Sequence, residues 1–433
     1  MRSIDHKMMR WLLLPLLVVL LNACSDSDEA PGDQKKERVE LEVMPCAPSY
    51  IAEQEMDFTR AWNPSPYVTY NNINSPFEGQ KNLMNKSINI FFTKDGEDPM
   101  EGTFFYKHSE DKWQLSMDVT QNTYYLYGFI PKEDASSASI VSYNGTTTNG
   151  NASYSDGAEL TIKGLQTVTV SDVCVLIGAK EGSMESDETI VDGNSVRLRP
   201  GSFKTNIQTT GQVGSQNYIY LLFDHIYAAL RFQFKIHETY NALRTIHLRK
   251  LELMAYKNIQ QEAVSAKFDA KITLYKTDDG STPIVGSVEF TPVEASADVP
   301  PVPIFEGDEK LKTTVATSFM GCFVPGDNTY FKLRSTYDVY DKKLNYEKEA
   351  NGEYKRDEHG ELIPIRDKDG QPVGNLIRKD CQAENTIDLK KWFGNDLTTT
   401  RGHSYSLTLT VQPTYLYMLS EPDLDNPTLI ISN

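Results

Sequence analysis

The sequence predicts an all-β fold, built as two β-sandwich domains in tandem, on three observations. Short runs rich in β-branched and aromatic residues recur along the chain, with turn signals between them every ~8 to 15 residues. Several of these runs alternate at period 2, as in Leu230, Phe232, Phe234 and Ile236, which puts one face of a strand on a core. No stretch sustains the 3.6-residue apolar period of an amphipathic helix. The chain has 433 residues, long enough for two domains of ordinary size.

Residues 1–23 come first and address the rest. Arg2, Lys7 and Arg10 precede an apolar run over 11–21. That run is about half of the ~20 residues a membrane-spanning helix needs, so the segment reads as a secretory signal peptide. It ends in Leu21-Asn22-Ala23-Cys24, followed by Ser25-Asp26-Ser27-Asp28-Glu29. The tetrad resembles a bacterial lipobox, which implies that Cys24 is acylated, with a palmitate-type lipid, and begins the mature chain. The alternative is an ordinary signal peptide cut nearby. The acidic run resembles the surface-export signal of Bacteroidales lipoproteins, which implies a lipid-anchored precursor on the outer face of the outer membrane. Residues 24–38 combine Asp, Glu, Gly, Pro and Lys with almost no apolar side chain, so they form a flexible lipoprotein tether.

The N-terminal sandwich is assigned to 39–212. Val39, Leu41 and Val43 alternate with Glu40 and Glu42 as a half-buried strand, which Pro45 and Pro48 should end. A charged and then Tyr/Asn-rich passage follows, containing Arg60 and Ala61. Strands are expected over 87–92, 102–106, 113–117 and 124–130, a surface loop over the Ser/Asn/Gly-rich 135–158, and strands again over 159–170 and 173–177. Between 191 and 217 the chain turns polar and glycine-rich, and the domain boundary is placed there.

The C-terminal sandwich takes 213–433. It opens on the strongest core signal, 218–223 and 228–236, with Asp224-His225 at a bend. Further strands are expected over 246–255, 266–275, 285–290, 313–324 and 330–339. Residues 341–378 are heavily charged and punctuated by Asn351-Gly352, His359-Gly360 and Asp369-Gly370, the mark of a projecting hairpin insertion. Residues 404–411 alternate again, and a tail over 413–433 carries Tyr415, Tyr417, Leu419, Leu429 and Ile431.

The chemistry the sequence excludes is as informative. With 60 Asp+Glu against 43 Lys+Arg the net charge is -17, which argues against a nucleic-acid partner. Beyond Cys24, the cysteines Cys46, Cys174, Cys322 and Cys381 are far apart with no CxxC pair, so neither a zinc site nor a disulfide framework is indicated. The seven histidines share no motif, and Asp224-His225 beside a core strand reads as structural. No GxSxG elbow, Walker loop or GxGxxG is present. No catalytic residue, cofactor site or metal site is assigned, and the protein is read as a non-enzyme. The 23 Tyr and 18 Phe serve either strand packing or a sugar-binding surface.

Together, the lipobox, the run Tyr124-Tyr125-Leu126-Tyr127-Gly128-Phe129-Ile130-Pro131, the segment from Phe223-Asp224-His225 to Arg231-Phe232, and Gly402-His403-Ser404-Tyr405-Ser406-Leu407 resemble the fimbrillins, subunits of Bacteroidales type V pili. The resemblance implies two transthyretin-like sandwiches and surface delivery as a lipoprotein. It also implies an arginine-specific cut after an N-terminal strand, and assembly with other fimbrial subunits by β-strand exchange in support of adhesion. Arg60 and Ala61 then flank the expected cut, and Val39, Leu41 and Val43 lie on the removable strand. Tyr415, Tyr417, Leu419, Leu429 and Ile431 make a candidate donor strand, unless the tail forms the last strands of its own domain. The alternative function is a non-polymerising surface lipoprotein, tip or anchor in kind, that binds a glycan or host protein.

Overall fold

The computed structural model describes residues 41–53, 68–74, 83–143, 153–181, 190–192, 195–198, 204–207, 218–276, 283–293, 299–315, 317–366, 370–415 and 422–432. Among them the fold is all-β. The chain starts with β1 (Glu42–Pro48), β2 (Ile51–Glu53), β3 (Val68–Asn72), β4 (Ser87–Thr93), β5 (Met100–Lys107), β6 (Lys112–Leu115) and β7 (Asn122–Ile130). It continues through β8 (Ser137–Ser142), β9 (Gly157–Gln166), β10 (Val168–Thr169), β11 (Cys174–Glu181), β12 (Ile190–Asp192), β13 (Ser195–Leu198) and β14 (Lys204–Ile207). The apolar centre of the sequence gives β15 (Tyr218–His225) and β16 (Ala228–Ile236), then α1 (Glu238–Leu243) and β17 (Arg244–Tyr256). The remainder is β18 (Lys267–Lys276), β19 (Pro283–Pro292), β20 (Val302–Lys310), β21 (Ser318–Phe323), β22 (Tyr330–Leu344), β23 (Gly374–Asp388), α2 (Leu389–Phe393), β24 (His403–Tyr415) and β25 (Pro422–Ser432).

These strands form four sheets. Sheet 1 runs β12-β13-β3-β1-β15-β11-β7-β4-β5-β6, with β14 also on β7; sheet 2 runs β10-β21-β16-β24-β2, with β25 also on β24. Sheet 3 is β20-β17-β22-β23 and sheet 4 is β19-β18-β9-β8. The chain leaves sheet 1 for sheet 2 at Ile226 and Tyr227, between β15 and β16. Sheets 2 and 3 enclose one core, in which Leu230, Phe232, Phe234 and Ile236 of β16 meet Ile246, Leu248, Leu251 and Leu253 of β17. The period-2 alternation in β16 is what delivers those four side chains to one face. Sheet 4 packs Leu160, Ile162, Ile272 and Leu274 against Tyr127, Phe129 and Val175 of sheet 1 and against Ala229, Met320 and Cys322 of sheet 2. The opposite face of sheet 1 buries Ile88, Ile90, Phe92, Leu176, Leu221 and Phe223 with Val43. β11 is buried on both faces, as a continuous apolar run should be.

Several expectations are corrected. The loop expected over 135–158 contains β8, because Ile140 is buried and the strand pairs along β9. The polar stretch 191–217 holds three short strands, and the strand expected over 313–324 is confined to β21. β20 was not anticipated: Pro303 and Gly307 weaken its strand signal, and both are tolerated because β20 is an edge strand. The first described strand, 42–48, shares Val43 with the strand expected over 39–43 but does not end at the prolines, running through Pro45 to Pro48. Pro45 still accepts, its carbonyl taking the Ile73 N–H at 3.2 Å. Between β22 and β23 the insertion forms small hairpins, closed by bridges such as Lys348 with Tyr354 and Arg356 with Leu362. Gly352 and Gly360 turn them at φ of 89° and 82°, angles that suit glycine. No helix among the described residues is long and apolar enough to cross a membrane.

Candidate functional site

β1 and β2 thread a single short segment through two sheets. β1 lies between β15, with which it pairs in parallel, and β3, with which it pairs antiparallel. β2 lies parallel on β24, matching Ile51 to His403, Ala52 to Ser404 and Glu53 to Tyr405. β25 covers the same strand further on, from Thr408 to Tyr415.

The link between β1 and β2 is held by a buried polar cluster. Tyr50 is buried, its ring stacked on His225 with centroids 4.0 Å apart, and its hydroxyl donates to Asp172 Oδ1 at 2.7 Å. The same hydroxyl lies 3.6 Å from Cys322 Sγ. His225 Nδ1 is 2.7 Å from Asp172 Oδ2, and its Nε2 is 2.8 Å from the Pro48 carbonyl oxygen. A carbonyl and a carboxylate only accept, so both ring nitrogens carry protons and His225 is an imidazolium. Burial works against that charge, but the charge and hydrogen bond of Asp172, then Asp224 and the Pro48 carbonyl, outweigh it and hold the His225 pKa above its ordinary value. For Asp172, burial pushes the pKa up. The imidazolium and the hydrogen bonds from His225, Tyr50 and Cys174 outweigh burial and hold it below the usual carboxylate value.

Asp224 does not share a ring nitrogen with its neighbour. Its Oδ1 accepts the His225 N–H at 2.9 Å and its Oδ2 accepts Arg401 Nη1 at 2.7 Å. Arg401 also donates to the His225 carbonyl at 3.1 Å, while Gly402 O accepts the Ile51 N–H at 2.8 Å. The turn before β24 therefore closes the site from the other side.

Asp172, Cys174 and His225 place ligand-type atoms within 4.8 Å of one another. The protonated nitrogens already satisfy the carboxylate and the Pro48 carbonyl, so the arrangement functions as a hydrogen-bonded clamp on the β1–β2 link. Burial, and then the charge on Asp172, raise the Cys174 and Cys322 thiols well above their ordinary range. All four cysteines from Cys46 to Cys381 are free and buried.

Of the residues singled out in the sequence, Val43 is buried and Leu41 half-buried against the core of sheet 1. Leu429 pairs with Val411, and Ile431 packs on the core between sheets 2 and 3. Tyr415 ends β24, its backbone opposite Pro422. Cys24, Val39, Arg60, Ala61, Tyr417 and Leu419 lie outside the described residues. Sequence reasoning missed Pro48, Tyr50 and Asp172. Asp172 lies 53 residues before His225, and no spacing links them.

No protein-family model and no curated protein matches the chain. Among solved structures it is similar to a Bacteroides fragilis protein assigned to cell adhesion, at 10% identity over 91% of this chain and 97% of that one, with a TM-score of 0.34. A fimbrial protein from Bacteroides vulgatus matches at 9% identity, covering 92% and 98%, with a TM-score of 0.29. A fimbrial protein from Bacteroides ovatus matches at 8%, covering 86% of this chain and 49% of that one, with a TM-score of 0.25.

Proposed function

We propose that the chain is a surface fimbrial subunit, exported as a lipoprotein on Cys24, cut after Arg60 and assembled by β-strand exchange. In this reading sheets 1 and 4 make one transthyretin-like sandwich and sheets 2 and 3 the other, each drawing strands from both sides of residue 212. The observation that carries the proposal is the position of β1, an interior strand of sheet 1 formed by residues that precede Arg60 in the sequence. Removing it leaves the facing edges of β15 and β3 unpaired and uncovers the apolar residues that Val43 shields. Such an edge is a template for an added strand. β2 goes with it and frees the start of β24.

The test is digestion of the full chain with an arginine-specific protease. The expected result is a new N-terminus at Ala61, loss of the preceding fragment and SDS-resistant ladders, all absent in Arg60→Ala. A cut chain that stays monomeric overturns the proposal. A second reading, a non-polymerising surface protein that binds glycan or a host protein, is favoured by the pairing of β25 with β24 inside one chain. It requires saturable polysaccharide or host-protein binding by the uncut chain.

A further inference from the structure

The element that fills the clamp has a counterpart elsewhere in the sequence. Pro48-Ser49-Tyr50 is followed by Ile51, and Pro413-Thr414-Tyr415 by Leu416. Proline, a hydroxyl residue and tyrosine stand in this order at those two places and at no other in the 433 residues. In the first occurrence every member is used. The Pro48 carbonyl accepts from His225, the Ser49 hydroxyl accepts from Asn71 Nδ2 at 3.0 Å, and Tyr50 stacks on His225 and donates to Asp172. The second occurrence offers a carbonyl, a hydroxyl and a phenol in the same order. We propose that His225, Asp172 and Cys322 form a receptor for this tripeptide, filled by residues 48–50 in the uncut chain and by residues 413–415 of a second copy once the N-terminal segment has gone. The inference rests on the strand-exchange reading above.

Topology supports the second occupant. β24 is matched to β16 only as far as Val411, and among the described residues the ladder partner of 412–415 is β25. Peeling β25 away therefore releases the tripeptide without disturbing the β16 pairing. The chain's own copy cannot reach its own clamp while β24 stays in place. The clamp lies beside Gly402 and His403, at the start of the strand, and residues 413–415 lie at its far end, about 35–40 Å away at ~3.3 Å per residue. Direction agrees as well, because β2 runs parallel to β24. An occupant entering as residues 48–50 do would lay its next residue, Leu416 in place of Ile51, along the same edge.

The test uses the full chain, digested with the arginine-specific protease and freed of the fragment by gel filtration. Both steps are done at high dilution, before subunits assemble, so that the tail of a second copy has not yet filled the clamp. Two fluorescein-labelled peptides, spanning residues 46–53 and 411–418, are titrated against it by anisotropy. Both should bind the cut chain and neither the uncut one. Tyr415→Ala in the second peptide should weaken binding at least tenfold, a comparison that involves no refolding of the receptor. His225→Gln in the cut chain should weaken both natural peptides by a similar factor. A cut chain that binds the 46–53 peptide but not the 411–418 peptide, or that binds the Tyr415→Ala peptide as tightly as its parent, overturns the inference and leaves the removable strand standing. A chain that retains its fragment, or binds neither peptide, overturns the strand-exchange reading and the inference with it.

Discussion

His225 Nε2 stands 2.8 Å from the carbonyl oxygen of Pro48, a residue 177 positions earlier, while Nδ1 of the same ring faces Asp172 at 2.7 Å. One imidazolium thus ties the first strand of the chain to the centre of its sequence. Removing one partner of a buried ion pair strands the other charge, at a cost of about 3–5 kcal/mol. Asp172→Asn should therefore destabilise the chain by about that amount in urea unfolding. It should also speed hydrogen exchange at the Ile51 amide, which bonds Gly402 O. A loss under about 1 kcal/mol with unchanged exchange would contradict the clamp.

The hold on the first segment should depend on pH, with a calculable sign. His225 has a raised pKa, so its contribution is complete below the ordinary value of 6.5 and is lost as pH rises through the raised folded value. Asp172 has a lowered pKa, so its contribution is complete above 3.8 and is lost as pH falls through the lowered folded value. The grip is therefore strongest between about pH 4 and 6.5. Tyr50, Cys174 and Cys322 keep pKa values well above their ordinary ones and stay neutral there. Release of the fragment after arginine cleavage, followed by gel filtration, should speed up as pH rises above 6.5. In His225→Gln this alkaline acceleration should vanish.

The strands with clean alternation were legible in the sequence. Leu230 to Ile236 and residues 404–411 state their own buried faces, and β16 and β24 are found there, paired in parallel. What the residues could not state was which strands meet. β9 and β18 pair although Gly164 and Asp269, whose backbone N–H and carboxylate bond at 2.9 Å, stand 105 positions apart. The clamp was hidden for the same reason. Asp224-His225 announced itself as a local pair, yet Asp224 turned to Arg401 and the histidine found its carboxylate in a different strand connection. A polar contact between segments far apart leaves no period and no spacing for a sequence to show.

Arg401 provides a graded control for the clamp. It bonds Asp224 Oδ2 at 2.7 Å, but both side chains are about one-third exposed. Exposed pairs contribute about 0–1 kcal/mol. Arg401→Met should lower urea stability by no more than that, far less than Asp172→Asn. Equal losses in the two variants would mean that Asp224, rather than Asp172, is the counter-charge that matters.

The thiols report whether the first segment leaves. Cys174 and Cys322 are buried beside Tyr50, whose hydroxyl is 3.6 Å from Cys322 Sγ. Cys46 sits in β1 and would depart with the fragment. Cys381 belongs to the separate core of sheets 2 and 3. In the uncut chain Cys174 and Cys322 should resist a water-soluble alkylating reagent, since burial suppresses the reactive thiolate. After the cut, at high dilution and before subunits assemble, withdrawal of Tyr50 opens the cavity it filled, and mass-spectrometric mapping should find Cys174 and Cys322 labelled while Cys381 keeps its uncut level. Adding the 411–418 peptide should protect both again, because its tyrosine would refill the space beside Asp172. Labelling that is the same before and after the cut would show that residues 48–50 had never left their place.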